Sequence, residues 1–167
     1  MASKDDKKNE LLAAYDAYAD AIYRHVFFRV FQKNRAEELT QEAFMKTWQY
    51  LNEGNDVENI RAFLYKVANN LIIDNSRKKK EESLDSILEE NPQLEPAYRG
   101  DRDIESQILL KEIHEKMKYL EEEERNLITF RYFDDLDPKE IAEVLGISAN
   151  NVSVKLNRAL KKLREYL

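Results

Sequence analysis

Twelve residues near the C-terminus, Asp137-Pro138-Lys139-Glu140-Ile141-Ala142-Glu143-Val144-Leu145-Gly146-Ile147-Ser148, constrain the fold of this chain more than any other segment. Asp137 is a good N-cap, Pro138 suits a first helical position that needs no N–H, and Glu140 two residues later can complete a capping box. Ile141, Val144 and Leu145 supply one apolar face. Ala142 is small where a second helix can cross closely. Gly146 ends the helix at the point where a left-handed residue is needed. Ser148 then caps a second helix whose inner face reads Val152, Leu156, Ala159, Leu160 and Leu163. The spacing predicts a helix-turn-helix.

A generic helical hairpin would satisfy the same pattern, so the outer face of the second helix carries the functional reading. It presents Asn150, Val154, Asn157, Arg158 and Lys161, with Ser153 beside them, and no carboxylate interrupts it before Glu165. Amides, hydroxyls and guanidinium groups can read base edges, and Lys can hold phosphates.

The rest of the chain is also helical by pattern. Three glycines and three prolines in 167 residues are too few for an all-β chain full of tight turns. Apolar residues at helical spacing predict a first helix over 11–33, a break at Lys33-Asn34 and a second helix from Ala36 to Leu51. A polar turn at 52–56 precedes a third helix over Ile60–Lys80. Residues 81–105 hold Pro92, Pro96, Gly100 and many carboxylates with little periodicity, and read as a linker. Helices resume over 104–120, 122–133, 138–145 and 149–166. The expected fold is all-α: two small helical domains, 1–80 and 106–167, joined by an acidic linker over 81–105, the C-terminal one a helix-turn-helix.

In the third helix, Leu64, Val67, Ala68 and Leu71 form the buried stripe. Opposite them stand Lys66, Asn70 and Arg77, with Phe63 and Tyr65 expected on the flanks. Basic groups and an amide beside aromatics suit unstacked single-stranded DNA. Alone, the pattern is better met by an ordinary amphipathic helix with its aromatics tucked into the core. In the second helix Glu38, Glu42 and Lys46 share one polar edge, while Leu39, Ala43, Phe44, Trp48 and Leu51 fill most of the circumference.

Composition removes whole classes of activity. Without cysteine the chain can build neither a disulfide framework nor a zinc–thiolate site, and its two histidines, His25 and His114, lie far apart in sequence. There is no Gly-rich phosphate loop, no Ser/His/Asp set and no metal-ligand cluster, so neither catalysis, nor a cofactor, nor a metal is expected. The N-terminal MASKDDKKNE lacks an apolar h-region and no run approaches membrane-spanning length, which points to a cytosolic chain with no direct membrane insertion. A net charge of −6 argues against indiscriminate coating of nucleic acid. Basic residues nevertheless gather at Arg77–Lys80 and at Lys155, Arg158, Lys161, Lys162 and Arg164.

Three segments together resemble a known family. Glu38-Leu39-Thr40-Gln41-Glu42-Ala43-Phe44-Met45-Lys46-Thr47-Trp48 resembles region 2.2 of bacterial RNA polymerase sigma factors. Ile60-Arg61-Ala62-Phe63-Leu64-Tyr65-Lys66-Val67-Ala68-Asn69-Asn70 resembles regions 2.3 and 2.4, and Leu120–Leu167 resembles region 4, including Glu124-Arg125, Arg131-Tyr132-Phe133 and the helix-turn-helix. The order of the three, the acidic linker and the absence of other sigma regions are similar to the extracytoplasmic-function group of the sigma-70 family. The resemblance implies a transcription initiation factor that joins core polymerase and directs it to −10 and −35 promoter elements, assisting melting. Glu38, Gln41 and Glu42 would dock on the β′ clamp helices, and the β flap is the other expected contact on core polymerase. Phe63, Lys66, Asn70 and Arg77 would meet the −10 element, Asn70 helping to capture a flipped base in a pocket partly formed by loop 52–59. Ser153, Val154, Asn157 and Arg158 match the family's −35 reading positions, with Asn150 and Lys155 beside them. The linker would thread the polymerase cleft, and an anti-sigma factor is an expected partner.

The sequence departs from the family pattern at two places. Glu38 stands where Asp is common, and the recognition helix reads Asn151-Val152-Ser153-Val154-Lys155 where Thr-Val-Lys-Ser-Arg is usual. An outward Val154 suits a thymine methyl better than a hydrogen bond, so it alters the −35 sequence expected rather than the docking mode. The competing expectation is a helix-turn-helix regulator that acts without being a polymerase subunit.

Overall fold

The polar start of the chain already forms a helix. Ser3 and Asp6 cap it reciprocally: the Asp6 N–H donates to Ser3 Oγ at 3.1 Å and the Ser3 N–H to the Asp6 carboxylate at 3.0 Å. The hydrogen bond from the Ser3 backbone N–H, and after it the Ser3 hydroxyl, hold the Asp6 carboxyl below its ordinary value. Helix α1 therefore spans Lys4–Val30 and begins well before the expected residue 11. Its first turns carry no apolar rhythm, but the Ser-x-x-Asp capping signal was present in the sequence. This computed structural model describes residues 3–30, 32–82 and 104–167. Most of the expected linker, 83–103, lies outside the described residues.

Contacts divide the chain into two units, Met1–Leu94 and Glu95–Leu167. In the first, α2 (Lys33–Asn52) and α3 (Ile60–Glu82) pack with α1, each helix against the other two. The break between α1 and α2 falls at Gln32, which is extended (φ −129°, ψ 121°), and not at the expected Lys33-Asn34. Those two polar residues sit in the first turn of α2, where N–H groups need no partner one turn back. The core is built from Ile22, Val26, Leu39, Leu51, Leu64 and Tyr65, with the buried His25 ring edge-on to Tyr65 at 5.4 Å. Thr40 and Thr47 are buried in α2 because their hydroxyls donate to the Ala36 and Ala43 carbonyls, at 2.6 and 2.8 Å.

In the second unit α4 (Ile104–Met117) is followed by α5 (Glu122–Ile128), α6 (Pro138–Leu145) and α7 (Ala149–Arg164). α5 and α6 both pack on α7 around Leu127, Phe130, Leu136, Ile141, Val152, Leu156 and Leu163. The expected helix over 122–133 does not stay α-helical: Thr129–Phe133 widens into a π turn. The Asp134 N–H reaches back five residues to the Thr129 carbonyl at 2.9 Å, and Asp135 turns left-handed at φ 55°. The wide turn lets Phe130 and Leu136, both fully buried, enter one core from either side of a tight reversal. No strand occurs among the described residues.

Candidate nucleic-acid and polymerase interfaces

The capping chemistry of the C-terminal motif is present as drawn from the sequence. The Glu140 N–H donates to Asp137 Oδ1 at 2.8 Å, and the Asp137 N–H returns to Glu140 Oε1 at 3.3 Å. Gly146 is left-handed (φ 69°, ψ 31°), and Ser148 Oγ accepts from the Asn151 N–H at 3.1 Å. Val152, Leu156, Ala159 and Leu163 face inward and Leu160 is half-buried. With that stripe inward, helical geometry turns Asn150, Val154, Asn157, Arg158 and Lys161 to solvent, all of them exposed. Ser153 is half-buried at the edge, its hydroxyl donating to the Ala149 carbonyl at 3.2 Å, which leaves its lone pairs to accept.

The flank of α7 facing α5 is electrically closed. Lys155 pairs with Glu123, and Lys162 with Glu124 at 3.2 Å. The Glu124 carboxylate, accepting a hydrogen bond, holds the Lys162 ammonium above its ordinary value. Arg158 takes no part: no ion pair joins it to the acidic run or to Glu165 among the described residues. Lys155, expected among the −35 contacts, is half-buried and paired with Glu123.

On α3, Phe63, Lys66, Asn70 and Arg77 form one stripe, the last three exposed and Phe63 half-buried. Phe63 lies nearly parallel to Tyr50 of α2, with ring centroids 4.8 Å apart. Tyr65, expected on the flank, is instead fully buried. Two residues beyond Phe63 is about 200° around a helix, which turns the ring into the core beside His25. The neighbouring amides divide in the same way. Asn69 and Asn75 are buried, their oxygens accepting from Arg29 Nη1 at 3.5 Å and Arg35 Nε at 2.7 Å, while Asn70 remains outside.

On α2, Glu38 and Gln41 are exposed and Glu42 half-buried. Glu38 pairs with Arg35 at 2.8 Å and Glu42 reaches Lys46 at 4.0 Å. Met45, one turn beyond Gln41, is 62% exposed in the middle of this edge. The sequence reading passed over it, although its spacing from Gln41 and Glu42 placed it there.

Comparison with known proteins settles the family. A model described as Sigma-70 region 2 matches residues 14–82, and one described as Sigma-70, region 4 matches 110–163. The ECF RNA polymerase sigma factor SigM of Bacillus subtilis is 30% identical over 156 residues, covering 90% of each chain. SigW of the same organism is 26% identical, covering 91% of this chain and 86% of that protein. This chain belongs to the ECF RNA polymerase sigma factors. Two solved structures share its fold. The sigma factor RpoE from Bartonella quintana, in complex with the anti-sigma factor NepR, superposes with a TM-score of 0.73 at 22% identity, covering 96% of this chain and 95% of that one. CnrH, in complex with the cytosolic domain of CnrY, gives 0.69 at 17% identity, covering 95% and 88%.

Sigma factors are subunits for transcription initiation and not an enzyme class. A regulator acting apart from the polymerase is not favoured, since regions 2 and 4 both match, in order. Among the described residues no group of three or more acidic or histidine side chains is placed to hold a metal ion. No helix among the described residues is long and apolar enough to cross a membrane.

The sigma factor also contains a contact that the sequence reading missed. Lys7 of α1 is 8% exposed, and its ammonium donates to the Asn55 carbonyl at 2.8 Å and pairs with Asp56 at 3.3 Å. It ties the N-terminal helix to the loop between α2 and α3.

Proposed function

We propose that this sigma factor reads its promoter with two exposed stripes and meets core polymerase through a third. Phe63, Lys66, Asn70 and Arg77 on α3 engage the −10 element, with loop 52–59 beside them. Asn150, Ser153, Val154, Asn157 and Arg158 on α7 engage the −35 element, and Lys161 holds backbone phosphate. Glu38, Gln41 and Glu42 on α2 bind the β′ clamp helices, and the region 4 unit binds the β flap. Residues 1–80 and 106–167 act as the two promoter-binding domains and 81–105 as their linker. The chain works in the cytoplasm, leaves the chemistry of RNA synthesis to the core enzyme, and is restrained by an anti-sigma factor.

The observation that carries this reading is the separation of amides by burial. On α3 the structural amides, Asn69 and Asn75, are held by arginines, whereas Asn70 is exposed between Lys66 and Arg77. An exposed amide in a basic stripe suits a base edge. Transcription by core polymerase with the full chain, on a library randomised across the −10 element, tests it. Asn70→Ala is expected to lower discrimination at one −10 base while core affinity is kept, and Glu38→Lys with Glu42→Lys to lower core affinity with helicity kept. A uniform loss across all −10 variants would make Asn70 structural, and unchanged core affinity would remove the α2 edge from the interface.

A further inference from the structure

A lysine ammonium is seldom withdrawn from water unless its partners justify the desolvation. Lys7 is such a case, its side chain only 10% exposed. Both partners lie in one loop 48 and 49 residues away, the Asn55 carbonyl and the Asp56 carboxylate. Other bonds hold the loop to its neighbouring helices: the Glu53 and Gly54 N–H groups donate to the Gln49 and Leu51 carbonyls, both at 3.1 Å. The Asn55 side-chain amide donates to the Tyr50 carbonyl at 3.0 Å, and Asn59 Oδ1 accepts from the Ala62 N–H at 3.0 Å to begin α3. Just before Asn55, Gly54 takes φ 96°, a conformation open to glycine that sets the direction in which the loop leaves α2. The loop starts beside Tyr50 and ends at α3, and Tyr50 and Phe63 stack on each other. The anchored segment therefore borders the upper end of the Phe63–Lys66–Asn70–Arg77 stripe.

We propose that Lys7 is a specificity-determining positioning residue: it fixes loop 53–59 in the shape that helps read a −10 base. This rests on the assignment of the α3 stripe to the −10 element. Lys7 itself touches no base. It acts through the loop, and it offsets the charge of Asp56, one of three loop carboxylates (Glu53, Asp56, Glu58) that would otherwise repel a nearby phosphate. With the brace present, a matching base meets a preformed wall. Without it, the base must order the loop on binding, and matching and mismatching bases come to bind more alike.

The test is transcription from a −10 saturation library by core polymerase with full-length wild-type, Lys7→Met, Lys7→Arg or Asp56→Asn chains, alongside core-binding titrations and thermal melts. Met keeps most of the apolar stem and removes the charge. Lys7→Met is expected to reduce discrimination at one −10 position by about tenfold, the size of a single charge-assisted hydrogen bond. Lys7→Arg should restore it, and core affinity should not change. Asp56→Asn, at a site 88% exposed, keeps the fold and should shift the same position by a smaller factor, since the Asn55 contact survives. If the Lys7→Met and Asp56→Asn profiles superimpose on wild type while the melting temperature falls, Lys7 is a staple for the fold and the proposal is wrong. If Asn70→Ala in the same library also leaves every −10 preference unchanged, the assignment of the α3 stripe has failed and not the brace alone.

Discussion

Replacing Glu123 by Gln should make the promoter complex tighter at low salt and more sensitive to salt. Glu123 engages Lys155 on the flank of α7 beside the proposed reading face. The pair is part-exposed, 34% for Lys155 and 60% for Glu123, so screening by solvent limits its worth to roughly 0–1 kcal/mol. Glu123 also lies in the first turn of α5, where a negative charge contributes about 0.3–1 kcal/mol through the helix dipole. Loss of the carboxylate should therefore destabilise the chain by only about 1 kcal/mol. The gain is at the DNA: a lysine released from an internal carboxylate can displace one condensed counterion, adding about 0.9 to the slope of log affinity against log salt. Over a fourfold rise in salt the advantage of the variant should shrink about 3.5-fold, which is four raised to that slope. Holoenzyme titrated against a promoter fragment across a salt series measures this, with Glu123→Gln/Lys155→Met closing a double-mutant cycle. The double variant should lose the added slope. If Glu123→Gln leaves the slope unchanged, or if the double variant keeps the increase, Lys155 is not within reach of DNA and the flank is closed for structural reasons alone.

The two outer cations of α7 should behave differently from one another: Arg158→Ala is expected to relax preference at one −35 position by about 1–3 kcal/mol, and Lys161→Ala to weaken all −35 sequences alike, as a −35 saturation library would show. Superimposable profiles for Arg158→Ala and wild type would refute base reading by Arg158. Burial, opposed by Glu115 and aided by Arg125, holds the His114 imidazole below its ordinary value of about 6.5. The stability it contributes is therefore fully present above that pH and is lost as pH falls through the lower folded value, so His114→Gln should flatten this part of a melting-temperature series against pH. Gly146→Ala meets nothing within 4 Å but must hold φ at 69°, so its cost is one of backbone, about 1–2 kcal/mol in thermal unfolding, and an unchanged melting point would contradict it.

What could be read from the sequence was local. The Asp137–Ser148 motif specifies its own hydrogen bonds over three-residue separations, and the caps and the left-handed Gly146 followed from residue type alone. The start of α1 was equally local but carried by Ser3 and Asp6 rather than by apolar spacing. Tyr65 misled because an aromatic beside a basic stripe fits either face, and only the angular position about the helix distinguishes them. The contacts least legible were charge pairs across distant segments. Lys7 with Asp56, Lys155 with Glu123 and Lys162 with Glu124 join residues 49, 32 and 38 positions apart. A sequence shows that opposite charges are available, but the packing of helices decides which pairs meet.

On the proposed assignment of the α7 and α3 stripes to promoter DNA, those pairings account for how a chain of net charge −6 can present a reading surface. Were every cation of α7 free, the helix would offer a broad basic face, and phosphate attraction, which carries no sequence information, would dominate its binding. Glu123 and Glu124 engage Lys155 and Lys162, leaving Asn150, Val154, Asn157, Arg158 and Lys161 as the open side. Of these, two are amides and one is an aliphatic group, whose interactions depend on the base edge presented. The same division holds on α3, where Arg29 and Arg35 serve buried amides and Lys66 and Arg77 remain exposed around Asn70. Internal pairing thus lowers the indiscriminate part of the affinity more than the base-dependent part. The ratio that distinguishes one promoter from another rises because total affinity is held down, and core polymerase, which holds both promoter-binding units at one site, restores the affinity through effective concentration.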